Sequence, residues 1–270
     1  INMRAKKIYL MPNKIKNQET TYLKGPKLAQ GMFSTVYQVT CLENLQKSAI
    51  KFIDLNEMTQ YEKVLLDREI NFSNEIIQQA GINPYVVSYR DIFKFFDYSL
   101  KHEILCIVME LGLGSLDVLC EEGFQDIKQI KSLFDQMVRG IYWLHSQPVP
   151  IVHRDIKPAN IMIMNDKLQI KFIDFGFCKQ LHTACQTILG TGKFIHPKIL
   201  KGNEYGTEVD VYSLGRTLEF MLEWLNKESL KSKEDITLYN KLKQVKSSMV
   251  DENIVSQMTL QFYMEHYYYE

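Results

Sequence analysis

The hydrophobic pattern of this chain changes character partway along its length, and this change constrains the fold more than any other feature. Residues 27–40 and 47–54 are rich in Val, Ile, Phe and Tyr with partial alternation, which predicts strands. Residues 85–96 and 103–110 predict two more strands, and 56–80 predict one helix or two short ones. The first part of the chain is therefore expected to form an antiparallel sheet with one major helix.

The remainder of the chain has helical periodicity. Residues 209–225 are apolar nearly all round, which predicts a buried helix. Residues 128–146 carry an apolar stripe at helical spacing, formed by Ile130, Leu133, Phe134, Met137, Ile141 and Leu144. Two short apolar segments, 161–164 and 168–173, separate the two helices. The pattern predicts an α+β chain whose second part is mainly helical.

Charge, hydropathy and cysteine content bear on the partners and the compartment of this chain. Lys+Arg and Asp+Glu both number 32, so electrostatics gives no reason to expect binding to nucleic acid or to a membrane surface. No apolar run approaches the ~18–20 residues that span a bilayer, and residues 1–16 carry too many charges for a signal peptide. The five scattered cysteines favour reduced thiols in the cytoplasm or nucleus.

The densest group of chemically active side chains lies in residues 153–160, which read HRDIKPAN, and is followed by Asp174-Phe175-Gly176. These segments resemble the catalytic loop and the metal-binding motif of eukaryotic protein kinases of the serine/threonine type. Further motifs of that family occur in its order from about Leu28 to Gly215. A chance match at all of these positions is implausible.

The resemblance implies a bilobal fold with a small antiparallel sheet lobe, one major helix and a larger helical lobe. Residues 1–21 are expected to form an N-terminal extension, and 22–270 the kinase domain. Within that domain, we expect an N-lobe at 22–110, a hinge at 110–115 and a C-lobe at 116–270.

The resemblance also implies roles in phosphoryl transfer from ATP. Asp155 would act as catalytic base toward a substrate hydroxyl, and Lys157 would steady the transferring phosphate. Asn160 and Asp174 would be the Mg²⁺ ligands, since both offer hard oxygen donors. Asp210 would brace the backbone of the catalytic loop.

Residues that bind the nucleotide follow from the same resemblance. Lys51, in the strand Ser48-Ala49-Ile50-Lys51, would hold the α- and β-phosphates, with Glu75 or alternatively Glu69 as its ion-pair partner. The phosphate-covering loop and the adenine site would comprise Leu28, Ala29, Gly31, Ser34, Val36, Ala49, Met109, Glu110, Gly112 and Met162. Only one glycine of the family's loop pattern is present, at Gly31.

Substrate and regulation are implied by the segment that begins at Gly190. Thr191, together with Lys157, is the pairing expected of serine/threonine kinases that act on proteins. Thr187 is a candidate activation phosphosite, whose phosphate Arg154 would bind. The sequence does not indicate an oligomeric state.

Two departures from the family pattern stand out. Lys198 occupies the place of a glutamate that usually pairs with an arginine, and Gln257 occupies the place of that arginine, so we expect an anchor in which both partners are replaced. This departure and the glycine-poor loop also permit a pseudokinase scaffold without catalysis, and a small-molecule kinase is a third interpretation. An active protein kinase is favoured by four retained residues: Lys51, Asp155, Asn160 and Asp174.

Overall fold

A computed structural model describes residues 14–16, 20–31, 34–56, 58–64, 66–67, 70–71, 84–97, 101–176, 178–180, 190, 192–252 and 260. The chain divides into two compact units. One contains the described residues within Ile1–Asp67 and Val87–Leu111, and the other those within Arg68–Val86 and Gly112–Glu270. The lobe and hinge bounds assigned from the sequence stay a prediction.

The first unit is built on a six-stranded antiparallel sheet with the order β1-β2-β3-β4-β6-β5. Residues 60–64 and 66–67 of this unit are helical, as are 70–71 of the other unit, all inside the range predicted as a helix. The strands are β1 Lys14–Lys16, β2 Thr21–Gln30, β3 Ser34–Cys41, β4 Lys47–Asp54, β5 Tyr89–Asp97 and β6 His102–Met109. The predicted α+β class and the antiparallel sheet are confirmed.

The core of this sheet begins before the residues expected to start the domain. Ile15 of β1 lies opposite Tyr22 of β2, and both side chains are buried in a cluster with Val39, Ile50 and Phe52. Burying a large aliphatic side chain contributes about 1.5–3 kcal/mol. The segment around Ile15 is therefore part of the folded sheet.

The second unit contains the longer helices and short strands. The helices are α1 Leu116–Glu121, α2 Ile127–His145, α3 Pro197–Leu200, α4 Glu208–Glu223 and α5 Lys233–Val250. The strands are β7 Gly114–Ser115, β8 Ile151–Val152, β9 Ile161–Ile163, β10 Ile170–Phe172 and β11 Lys179–Gln180. Single 3-10 turns occur at Pro158–Asn160, Gly192–Phe194 and Lys227–Ser229.

Two helices of this unit confirm the periodicity of the sequence. The carboxylate of Asp126 caps α2 by accepting from the backbone N–H of Lys128 at 2.8 Å, and the predicted apolar stripe of α2 is fully buried. Helix α4 packs closely on α5, since a Cβ at Gly215 would lie 2.6 Å from that of Met249. None of the helices in the described ranges is long and apolar enough to cross a membrane.

Candidate active site

A short hairpin of the second unit positions the loop 153–160. Strand β8 leads into this loop, and the 3-10 turn at its end leads into β9, which pairs antiparallel with β10. The N–H of Ile173 donates to the carbonyl oxygen of Asn160 at 3.0 Å. Asp174 follows Ile173 directly, so the hairpin brings the two predicted metal-binding residues to the same place.

Asp155 lies in a compact polar cluster with Lys157 and Asn160. Its Oδ2 accepts from the Lys157 ammonium at 2.8 Å and from the Asn160 amide at 2.8 Å. The same amide nitrogen of Asn160 donates to the Asp155 carbonyl oxygen at 2.9 Å. Both Asp155 and Asn160 are buried, at 3% and 5% exposure. The structure thus brings three predicted catalytic residues together around one carboxylate.

Asn160 and Asp174 are the residues of this site that could hold a magnesium ion. Asn160 uses its amide nitrogen on Asp155, which turns its Oδ1 away from that residue. Asp174 is half-buried and has a left-handed backbone with φ of 64°, a conformation that costs energy in a residue other than glycine. Carboxylate and amide oxygens are the hard donors that Mg²⁺ prefers.

Asp210 of α4 fixes the start of the catalytic loop. Its Oδ2 accepts from the backbone N–H of His153 and its Oδ1 from that of Arg154, each at 2.8 Å. The imidazole Nε2 of His145 lies 2.9 Å from Oδ2. Burial would raise the pKa of Asp210, but the hydrogen bond and charge of His145 and the backbone N–H of Arg154 lower it overall. Asp210 is therefore held as a carboxylate that braces two consecutive backbone amides.

His153 itself is a structural member of the loop. Its ring is fully buried, with ring centroids 5.7 Å from Phe172 and 5.0 Å from Phe175. Burial lowers the pKa of His153 and outweighs the neighbouring carboxylates, of which Asp210 is the strongest. A neutral His153 packs between the loop and the segment that contains Asp174.

In the first unit, the sheet register sets the position of Lys51. Lys51 lies opposite Val36 of β3 on one side and opposite Ile107 of β6 on the other. Ala49, two residues earlier, lies opposite Met109 and is buried. Since residues two apart in a strand share a face, Lys51 and Ala49 lie on the same face of β4.

Gly31 and Ser34 approach each other closely where β2 leads to β3. The N–H of Gly31 donates to the carbonyl oxygen of Ser34 at 2.8 Å, and a Cβ at position 31 would lie 2.8 Å from the Ser34 hydroxyl. Leu28 and Ala29 are exposed on β2. A side chain at position 31 would therefore require the Ser34 hydroxyl to move.

Two of the residues predicted to contact adenine, Glu110 and Gly112, are each held by a contact within their own unit. Glu110 and Ser88 exchange hydrogen bonds, with the Glu110 N–H donating to the Ser88 carbonyl at 3.2 Å and the Ser88 N–H to the Glu110 carboxylate at 2.9 Å. In the second unit, a Cβ at Gly112 would overlap Cγ of Met162. Position 112 must therefore be glycine while Met162 keeps this place.

Comparison with known proteins decides the family. The protein kinase domain model matches residues 22–265. This chain belongs to the eukaryotic protein kinase family, of the serine/threonine type. It is 35% identical over 207 residues to the serine/threonine-protein kinase shk2 of Schizosaccharomyces pombe, covering 73% of this chain and 32% of that protein.

Further relatives carry names of the same kind. The kinase domain is 31% identical over 218 residues to the serine/threonine-protein kinase PAK 1 of Mus musculus, covering 78% of this chain and 37% of the relative. It is 32% identical over 202 residues to pakH of Dictyostelium discoideum, covering 73% and 36%. The chain thus spans about a third of the length of these curated relatives.

Some residues that the family pattern singles out lie outside the described part of the chain. They are Glu69, Glu75, Thr187, Thr191 and Gln257. The partner of Lys51, the phosphosite and the substrate-segment threonine stay predictions.

In this kinase domain Lys198 is anchored by an ion pair that the sequence analysis did not predict. The Lys198 ammonium lies 3.1 Å from Oε1 of Glu208, and Oε2 of Glu208 accepts from the Gly206 N–H at 2.9 Å. Because Gln257 lies outside the described residues, the expectation that Lys198 and Gln257 jointly replace an ion pair stays a prediction. Glu208 joins α3 to the start of α4, and opposite charges ten residues apart were the signal that the sequence analysis overlooked.

Charge exchange tests this anchor. Lys198→Glu alone should destabilise the fold because two carboxylates would meet, and Glu208→Lys alone should also destabilise it. The double exchange should recover part of the loss, with a coupling of about 0.5–3 kcal/mol in urea unfolding. The exposed pair Lys201–Glu252 at 3.3 Å is the matched control, and its coupling should be smaller. Additive effects at 198 and 208 would disprove the anchor.

Proposed function

We propose that this kinase domain transfers the γ-phosphoryl group of ATP to serine and threonine hydroxyls of proteins. The observation that carries the proposal is the Asp155 carboxylate, held at 2.8 Å by both the Lys157 ammonium and the Asn160 amide. A fixed, buried carboxylate beside a cation can orient a hydroxyl, accept its proton and leave a positive charge next to the transferring group.

The steps assigned to the chain's own residues follow from this cluster. Asp155 takes the hydroxyl proton as the phosphoryl group moves, and Lys157 offsets negative charge on the phosphoryl oxygens. Asn160 and Asp174 would hold Mg²⁺, which neutralises phosphate charge when bound. Asp210 keeps the loop backbone in place, so that catalysis rests on positioning and charge.

The nucleotide roles are proposed from the family pattern and from strand register. Lys51 would bind the α- and β-phosphates, with Glu75 or Glu69 orienting it. The remaining contacts are assigned to Leu28, Ala29, Gly31, Ser34, Val36, Ala49, Met109, Glu110, Gly112 and Met162.

Protein substrates are supported by the relatives, which are named serine/threonine-protein kinases. Thr191 and Lys157 would select the aliphatic hydroxyl, and Thr187 would be the activation phosphosite. A cytoplasmic or nuclear location is supported by the cysteines of the described residues, which are buried and form no disulfide: Cys41, Cys106, Cys120 and Cys178.

Nucleotide binding gives a direct test. Mg²⁺-ATP at about 100 times its dissociation constant should stabilise the chain by about 2.7 kcal/mol, which raises the melting temperature by about 5 °C. Lys51→Met should reduce this shift in differential scanning fluorimetry. The control is Lys47→Met, which removes an exposed lysine from the same strand and should leave the shift unchanged. An unchanged melting temperature of the parent chain at millimolar Mg²⁺-ATP would refute nucleotide binding.

A further inference from the structure

Arg154 occupies an unusual position beside the proposed catalytic base. The residue is buried, with 3% exposure, and its φ is 67°. Burying a charged group is costly unless it is hydrogen-bonded, and a left-handed backbone in a non-glycine residue persists only where its surroundings impose it. Something in the fold must therefore hold both the guanidinium and the backbone of Arg154.

The backbone and the side chain are held by different residues. The N–H of Arg154 donates to Oδ1 of Asp210 at 2.8 Å, which fixes the main chain. At the other end, Nη1 of Arg154 donates to the hydroxyl oxygen of Tyr205 at 3.2 Å. Tyr205 lies in the connection between α3 and α4, 51 residues away in sequence.

Tyr205 is itself rigidly placed. Its side chain is 2% exposed and packs in an apolar cluster with Val152, Ile199 and Val209. The ring is therefore held by packing, and its hydroxyl reaches the guanidinium of Arg154. A phenol fixed in this way can act as an immobile hydrogen-bond acceptor for the arginine.

The position of Arg154 matters to two functional segments. It precedes Asp155 directly, and its carbonyl oxygen would lie 3.2 Å from a Cβ built at Gly190, where the predicted substrate segment begins. A small rotation of the backbone at Arg154 would therefore displace the Asp155 carboxylate and press on Gly190. Displacement of a catalytic group by about 1 Å can cost up to about 10²-fold in rate.

We propose that Tyr205 is a positioning residue for phosphoryl transfer, whose hydroxyl fixes Arg154 and thereby the strained turn that presents Asp155. This role rests on the proposed function. Tyr205 makes no contact with substrate or nucleotide in this assignment, and it acts entirely through Arg154.

Removal of the hydroxyl alone is the test. In the full chain, Tyr205→Phe should lower kcat about tenfold, while KM for ATP should change less than about twofold, because the contact orients the base and not the nucleotide. The kcat is calculated per mole of folded enzyme, so that loss of folded enzyme does not enter it. The Mg²⁺-ATP melting shift of each variant checks that the folded enzyme binds nucleotide. An unchanged kcat in Tyr205→Phe would overturn the proposal.

Tyr22→Phe is the matched control. The Tyr22 hydroxyl is also hydrogen-bonded to a charged group inside the fold, Oδ2 of Asp91 at 3.1 Å, but it lies in the other unit. The two variants should lose similar thermal stability, yet Tyr22→Phe should keep the parent kcat. A fall in kcat of the same size in both variants would assign the effect to general loosening and would contradict a role specific to Tyr205.

A double-mutant cycle with Arg154→Met tests the route of the effect. Tyr205→Phe should cause no further loss of kcat in the Arg154→Met background, since the hydroxyl acts through the guanidinium. An equal loss in both backgrounds would overturn the proposal. An inactive parent chain would refute the proposed function, whereas an active parent with a fully active Tyr205→Phe variant would refute only the role of Tyr205.

Discussion

Asp155→Asn should lower turnover by about 10²–10⁴-fold, the range expected when a general base is removed. The amide has the shape of the carboxylate but cannot accept the proton of the substrate hydroxyl. It also removes the negative charge that attracts the Lys157 ammonium at 2.8 Å. Binding of Mg²⁺-ATP should persist, because Asp155 is not assigned to the nucleotide or to the metal.

The measurement is steady-state phosphorylation of a generic protein substrate, with the melting shift as a check on nucleotide binding. Asp166→Asn is the matched control, since Asp166 is an exposed aspartate in the turn between β9 and β10. It should keep the parent turnover. Near-normal turnover of Asp155→Asn would remove Asp155 from the mechanism.

Asp210→Ala should lower the free energy of unfolding by about 3–5 kcal/mol, the usual cost of breaking a buried charged network by removing one partner. The backbone N–H groups of His153 and Arg154 would both lose their acceptor inside the fold. Each buried donor without an acceptor costs about 1–3 kcal/mol. The loss of the imidazole contact with His145 adds to this cost.

Urea unfolding monitored by circular dichroism measures this loss. Glu223→Ala is the control within the same helix, because Glu223 is exposed and its ion pair with Lys193 is 3.6 Å long. It should change the stability by less than about 1 kcal/mol. If Asp210→Ala destabilised the chain no more than Glu223→Ala, the bracing role of Asp210 would be wrong.

The catalytic loop could be predicted from the sequence because its geometry is local. Asp155, Lys157 and Asn160 lie within one loop and one 3-10 turn, so their spacing alone brings them together. The hairpin of β9 and β10 extends this local control to Asp174, since both strands were visible as short apolar segments.

Other contacts could not be predicted, because they join residues far apart in the sequence or lie in a strand too short to recognise. Arg154 and Tyr205 are 51 residues apart, and no periodicity links them. Ile15 is buried in a strand of only three residues, too short for alternation to be recognised. Lys198 was compared with Gln257 because the family pattern pairs those positions, while the folded chain places its ammonium 3.1 Å from the carboxylate of Glu208.

Transfer of phosphate from γ-labelled ATP tests the central proposal most directly. The parent chain, with Mg²⁺ and a generic protein substrate, should place label on serine and threonine, as shown by phosphoamino acid analysis. Asp155→Asn should incorporate at least about 100-fold less label in the same time. Binding of Mg²⁺-ATP without transfer by the parent chain would contradict the proposal and favour a scaffold, and label found only on tyrosine would contradict the proposed specificity.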